Sequence, residues 1–183
     1  MNPRTYLFVP GNRPERFIKA LASGADAVVL DLEDAVAAAA KAQARDEIAN
    51  WAGTASAAER ARVVVRINDA AAPAFDADLR MLRDSRLPGV MLPKAEAPGQ
   101  VAALRAALPG AQVLALIESA RGVAQVNAVA TSAGVVRLVF GTLDFARGLA
   151  VPAASAEQAQ ATETATAESW VYLGDESGLL AGF

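Results

Sequence analysis

The sequence predicts an α/β fold built on a parallel sheet, either a barrel or a doubly wound sheet. Three observations carry this. Six short apolar runs, rich in Val, Leu and Ile, recur with starts about 20–36 residues apart, the spacing of a βα unit. The runs show little polar alternation, the pattern of strands buried on both faces. Ala-rich segments with helical periodicity fill the gaps, and a steady βα alternation leaves only those two architectures.

The first run, residues 5–10 (TYLFVP), leads into a helix over 14–22 that opens on Pro14, a residue suited to a first turn. The second, residues 26–31 (DAVVLD), precedes a helix over 35–51 that Asp34 is placed to cap. The third (62–67, RVVVRI), fourth (89–93, GVMLP) and fifth (113–117, VLALI) precede helices over 76–84, 99–108 and 122–131. The sixth is 135–140 (VVRLVF). Gly24, Gly53, Gly89, Gly110 and Gly134 mark the turns that return the chain to the next strand. After residue 150 the pattern breaks. Residues 151–169 are a low-complexity run of Ala, Thr, Ser, Glu and Gln that reads as a solvated helix or linker. Residues 170–173 (WVYL) read as a short strand or a docking segment. The expected division is a (β/α) domain over 1–150 and an atypical tail over 151–183. A closed eight-fold barrel typically takes about 250 residues, so the chain is short for one.

Composition excludes several chemistries. The chain has no Cys and no His, so a disulfide, a thiol nucleophile, a His base or a zinc site of the usual ligands is ruled out. Any metal must sit on oxygen ligands and be hard, Mg²⁺-like. The net charge is −3, and residues 151–183 carry five acids and no base. Nothing is basic enough to track a nucleic acid. No run of about 18 apolar residues suggests a membrane span. The N-terminus runs into a strand pattern rather than a signal peptide, and a cytoplasmic location is expected.

Parallel α/β folds place their chemistry at the carboxyl ends of the strands. Those ends carry Gly11-Asn12-Arg13, Asp31-Leu32-Glu33-Asp34, Arg66 with Asn68, Lys94, Glu118 and Asp144. Any one of these is an ordinary solvated loop residue; six in succession outline a rim. Glu118 and Asp144 follow neighbouring strands, which lie about 4.8 Å apart, and can converge on one cation. Each could equally cap the helix that follows it. Arg66 interrupts an apolar strand and needs a partner or a ligand. Its planar fork suits a substrate carboxylate, or a salt bridge to Asp31 or Glu33. Glu33 and Asp34 could orient water beside a metal. Arg13 and Lys19 suit a phosphate-bearing cofactor or are plain surface charges, and Lys94 lines the rim or the surface.

The strings LFVPGNRPERFIKALASGADAVVLDLEDAVAAAAKAQAR, VVVRIN, VMLPKAE, ALIESARGV and LVFGTLDFA, in order over about residues 5–148, resemble the citrate lyase β-subunit-like proteins of the HpcH/HpaI aldolase family. The resemblance implies a TIM (β/α)8-type barrel, incomplete here at its C-terminus, in a homotrimer or hexamer. It implies Mg²⁺-dependent making or breaking of a carbon–carbon bond in a CoA thioester of the citryl-, malyl- or citramalyl-CoA type, with a keto acid and an acyl-CoA as products. Carried over residue by residue, it places the metal ligands on Glu118 and Asp144 and the substrate-carboxylate arginine on Arg66. The acidic pair near the metal's waters falls on Glu33 and Asp34, and the main-chain substrate contact on Gly141 and Thr142. The resemblance also implies two further strands and a C-terminal segment supplying an acid/base carboxylate. Residues 149–183 do not resemble that segment. A keto-acid- or CoA-binding subunit without that step, non-catalytic or impaired, is therefore the alternative expectation.

Overall fold

The computed structural model describes residues 3–148 as six parallel strands alternating with helices. The strands are β1 (Tyr6–Pro10), β2 (Ala27–Asp31), β3 (Val63–Arg66), β4 (Gly89–Leu92), β5 (Gln112–Ile117) and β6 (Val135–Phe140), each close to its predicted run. They pair in the order β1-β2-β3-β4-β5-β6. This order separates the two predicted architectures. A doubly wound sheet reverses direction at a switch point, whereas a barrel adds every strand on the same side. The sheet is an arc of a (β/α)8-type barrel, and among the described residues it does not close. It is nonetheless strongly curved. The Arg137 guanidinium of β6 lies 5.9 Å from the centre of the Tyr6 ring of β1. In a flat sheet five strand spacings would hold those edges about 24 Å apart.

Burial on both faces explains the unbroken apolar runs. Val28, Leu30, Val65, Val90 and Val113 pack outward against helix residues such as Phe17, Ile48, Leu82 and Leu104. Tyr6, Val29, Val64, Met91, Leu114 and Leu116 fill the concave side. The two edge strands are less covered: β1 is half-buried at Leu7, Phe8 and Pro10, and in β6 Val136 is 58% exposed.

Helices α1 (Pro14–Leu21), α4 (Phe75–Ser85) and α5 (Pro98–Ala107) lie where periodicity places them. The others correct the sequence reading. Helix α2 (Lys41–Thr54) starts at Lys41, after a single 3-10 turn at Ala38–Ala40, and Asp34 does not cap it. The Asp31 carboxylate takes the amides of Glu33 (2.8 Å) and Ala35 (3.1 Å), and Lys41 Nζ takes the carbonyls of Leu32 and Glu33 at 2.7 and 2.8 Å. These bonds turn the chain before it can become helical. Gly53 lies within α2 rather than in a turn, and Gly89 opens β4. A four-residue helix, α3 (Ala57–Arg60), is held by reciprocal capping between Ser56 and Glu59 and is too short to show periodicity. The helix predicted over 122–131 is two, α6 (Ala120–Ala124) and α7 (Val126–Ala130), broken at Gln125. Helix α8 (Thr142–Gly148) follows β6. The predicted tail, including 170–173, lies outside the described residues. No described helix is long and apolar enough to cross a membrane.

One buried carboxylate ties the helical layer to the rim. Asp78 of α4, fully buried, accepts hydrogen bonds from Asn68 N (2.8 Å), Asn68 Nδ2 (2.7 Å) and Arg45 Nη1 (3.0 Å). It fixes the loop that leaves β3 just beyond Arg66. Replacing Asp78 by Ala strands three donors and should cost about 3 kcal/mol. The urea unfolding midpoint should fall with an unchanged slope; an unmoved midpoint would show that the cluster contributes nothing.

Candidate functional site

The site begins with strand register. Asp31 and Arg66 are paired neighbours on β2 and β3. Side chains alternate along a strand, so both share the concave face with Val29 and Val64. Arg66 Nε donates to Asp31 Oδ1 at 2.7 Å and Nη2 to Oδ2 at 2.5 Å. Nη1 lies 3.2 Å from Glu33 Oε2 and 3.8 Å from Asp34 Oδ2. The guanidinium also sits 5.3 Å from the centre of the Phe8 ring. Burial disfavours its charge, but the bond to Asp31 and the charges of Asp31, Glu33 and Asp34 raise its pKa further, so it stays protonated. The salt-bridge alternative raised by the sequence is thus realised with both candidate acids. The Nε/Nη2 edge that best matches a carboxylate is taken by Asp31, which leaves the remaining N–H groups of Nη1 and Nη2 for any ligand.

Glu33 is buried and held between two cations. Lys94 Nζ donates to its Oε1 at 2.8 Å, while Oε2 lies beside Arg66 Nη1 without an aligned hydrogen bond. Burial raises the Glu33 pKa, opposed by Arg66 and Lys94, and the charge of Asp34 adds to the rise. Burial acts against the Lys94 charge, but the bond to Glu33 and the charges of Glu33, Glu118 and Asp34 raise its pKa overall.

Glu118 follows β5 and is 4% exposed. Its Oε1 accepts the Lys94 amide at 2.9 Å. It does not cap α6. Ser119 does that, accepting from Gly122 N at 3.1 Å while donating to Glu96 Oε1 at 2.6 Å. Gly141 packs against Glu118 on the other side. A Cβ at Gly141 would lie 2.8 Å from Glu118 Cβ and 2.9 Å from Oε2, so only glycine leaves the carboxylate its place. Asp144 sits in the first turn of α8, 3.5 Å from Arg147 Nη1. That position also suits an acid on helix-dipole grounds, so both alternatives for Asp144 stand.

Asp34, Lys94, Glu118 and Asp144 line one cavity of about 560 Å³, together with Glu96, Ser119, Arg147 and Gly148. Arg66 and Glu33 are linked to that wall through Lys94 and Asp34 rather than lining it. Gly141 touches it through Glu118, and Thr142 opens α8 beside it. Arg13 and Lys19 are exposed on the loop after β1 and on α1, outside the cavity lining. Sequence reasoning left Lys94 unassigned and named Asp31 only as one of two salt-bridge partners for Arg66, without choosing between that pair and a substrate carboxylate. Asp31 ends its strand in register with Arg66, a signal that was available.

On the Glu118–Asp144 side of the cavity the cations are the Lys94 ammonium, which is paired with Glu33, and the exposed Arg147. Burial is the main cause of a Glu118 pKa pushed up to about 7; the charges of Glu33 and Asp144 add to it, against the Lys94 amide and the Lys94 charge. Two hard oxygen donors beside open space could hold a Mg²⁺-like ion, which takes one or two carboxylates and completes its shell with water and substrate oxygens. Among the described residues no three acidic side chains gather to form a larger cage.

A curved parallel barrel arc with an acidic, arginine-anchored rim defines the class, and comparison with known proteins supplies the family. The HpcH/HpaI aldolase/citrate lyase family model matches residues 4–177, further than the motifs quoted above. The chain belongs to that family. A citrate lyase subunit beta-like protein of Mycobacterium tuberculosis is 40% identical over 139 residues, 76% of this chain and 47% of the relative. A (3S)-malyl-CoA thioesterase of Cereibacter sphaeroides is 31% identical over 146 residues, 80% of this chain and 51% of the relative. A crystal structure of CitE from M. tuberculosis with magnesium, acetoacetate and coenzyme A superposes with a TM-score of 0.73 at 38% identity, covering 83% of this chain and 54% of that one. The M. tuberculosis citrate lyase beta subunit with oxaloacetate and magnesium gives 0.71 at 37% identity, covering 87% and 70%. The chain spans about half the length of the curated relatives it matches.

The raised Glu118 pKa has a stability consequence. Its contribution is full below the unfolded value of 4.5 and is lost as pH rises through about 7. In a chelator, Glu118→Gln, which mimics the neutral acid, should gain on the parent between those pH values and lead by about 3 kcal/mol at pH 8. Urea unfolding of both proteins across that range measures the gap; parallel pH curves would contradict the assignment.

Proposed function

We propose that the chain carries the metal and substrate half of a Mg²⁺-dependent carbon–carbon lyase. It would act on a hydroxyacyl-CoA thioester of the citryl-, malyl- or citramalyl-CoA type and give an acyl-CoA and a keto acid. The observation that carries this is the convergence of Glu118 and Asp144 on one cavity, beside the ion-paired cluster of Arg66, Glu33 and Lys94. The CitE structures that hold magnesium with keto acids and coenzyme A support it.

Glu118 and Asp144 would hold the ion, which when bound polarises the reacting oxygen as a Lewis acid. Arg66 would orient the substrate carboxylate through its N–H groups not given to Asp31. Asp34, exposed on the cavity wall, would accept hydrogen bonds from water there, and Glu33 would keep the Arg66 and Lys94 cations in place. The Gly141 amide is already given to Ile117 O at 2.9 Å. A main-chain contact to the substrate therefore falls on the amides that open α8, beginning with Thr142. Arg13 and Lys19 are the proposed contacts for the CoA phosphates, and a homotrimer or hexamer is part of the same proposal. A second reading, thioester hydrolysis, is favoured by the malyl-CoA thioesterase relative.

The test is release of keto acid and acyl-CoA from the three thioesters with Mg²⁺ and after chelation. Glu118→Ala and Asp144→Ala should each lower the metal-dependent rate about 10³-fold, the several kcal/mol a Lewis-acid ion supplies. Undiminished turnover in both rejects the ligand assignment. Free CoA without a keto acid selects hydrolysis. Calorimetric binding of keto acid with no turnover selects a binding subunit.

A further inference from the structure

Lys94 is the charged rim residue with a strained backbone. Its φ is 46°, in the left-handed region. The other described non-glycine residue there, Arg86 (φ 55°), merely ends α4. Such a conformation costs a non-glycine residue about 1 kcal/mol or more, and glycine adopts it freely. The contacts show what the strain accompanies. The Lys94 amide donates to Glu118 Oε1 at 2.9 Å, its carbonyl accepts from Gln100 Nε2 at 3.1 Å, and its ammonium donates to Glu33 Oε1 at 2.8 Å. A glycine would make the first two bonds without strain. The third alone requires lysine.

We infer that Lys94 determines metal selectivity by pinning Glu33 in an ion pair, so that a divalent cation at Glu118 and Asp144 meets two carboxylates rather than three. This rests on the metal-binding reading proposed above. Lys94 stands between Glu33 and Glu118 and lines the same cavity as Asp144. With the ammonium in place, the positions of the ion not held by Glu118 and Asp144 would be left to water and substrate oxygens. Without it, Glu33 keeps only the 3.2 Å approach of Arg66 Nη1 and is free to turn toward the cavity it does not now line, as a third carboxylate. More anionic oxygens bind divalent ions more tightly and favour Ca²⁺, which takes six to eight ligands, over Mg²⁺.

The experiment titrates Mn²⁺ into the full chain by electron paramagnetic resonance, with Mg²⁺ and Ca²⁺ as competitors, and measures water-proton relaxation by the bound Mn²⁺. Lys94→Met removes the charge and keeps the backbone strain; Lys94→Gly removes the charge and relaxes it. Both should bind Mn²⁺ about tenfold more tightly, raise the Ca²⁺-to-Mg²⁺ affinity ratio, and lower the relaxation as carboxylate replaces water. Adding Glu33→Gln to Lys94→Met should restore the parent ratio and relaxation. Weaker binding in both variants, the result of a purely structural role, overturns the inference. So does tighter binding with an unchanged ratio and relaxation, the result of charge removal alone. In either case the metal site itself survives. Absence of Mn²⁺ binding in the parent, or binding that persists in Glu118→Ala, overturns the metal reading and the Lys94 role together.

Discussion

The rim depends on the buried ion pair between Asp31 and Arg66. A buried pair adds little net stability, because desolvation offsets its attraction. Its value here is geometric. Asp31 uses both oxygens on the Arg66 fork and the same two oxygens on the amides of Glu33 and Ala35. One carboxylate therefore sets the orientation of the guanidinium and the path of the chain leaving β2. Removal of Arg66 would leave Asp31 and Glu33 buried and short of positive charge, and the turn that presents Asp34 to the cavity would lose its anchor.

Charge is distributed unevenly around that rim. On the β2–β3 side, Asp31 and Glu33 are answered by Arg66 and Lys94. On the β5–α8 side, Glu118 has the Lys94 amide, and Asp144 has a long contact to the exposed Arg147. The imbalance shows in the Glu118 carboxyl, which burial and its acidic neighbours push up to about 7. The cavity opens on that side. Lys94 joins the two sides because β4 pairs with β5, and its amide and ammonium reach different carboxylates.

The strands were legible in the sequence because burial on both faces removes polar alternation, and Glu118 and Asp144 were legible because parallel strands end on one rim. Strand order was legible through the resemblance, which implied a barrel, and not through periodicity, which carries no information about which strand lies beside which. The start of α2 was misplaced because Asp34 has the chemistry of a cap, while the competing bonds come from Asp31 and Lys41. The alternatives for Arg66 could not be separated because one guanidinium has donors enough for several partners. Lys94 went unassigned because nothing in PKAE announces a left-handed backbone.

The last placement is set by a single residue of register. Val113 pairs with Val135, but Leu114 pairs with Arg137, so Val136 is extra on β6, and it lies at the edge, largely exposed. The shift carries through to Ile117 opposite Phe140, which puts Gly141 next to Glu118. Without it Phe140 would take the place beside Glu118, and any side chain there meets the carboxylate: even a methyl group at Gly141 would come within 2.9 Å of Oε2. An irregularity of this kind commonly re-aims a strand next to a functional site. Here it exchanges an aromatic ring for the one residue that leaves an oxygen room, and it delivers α8 and Asp144 to the same wall.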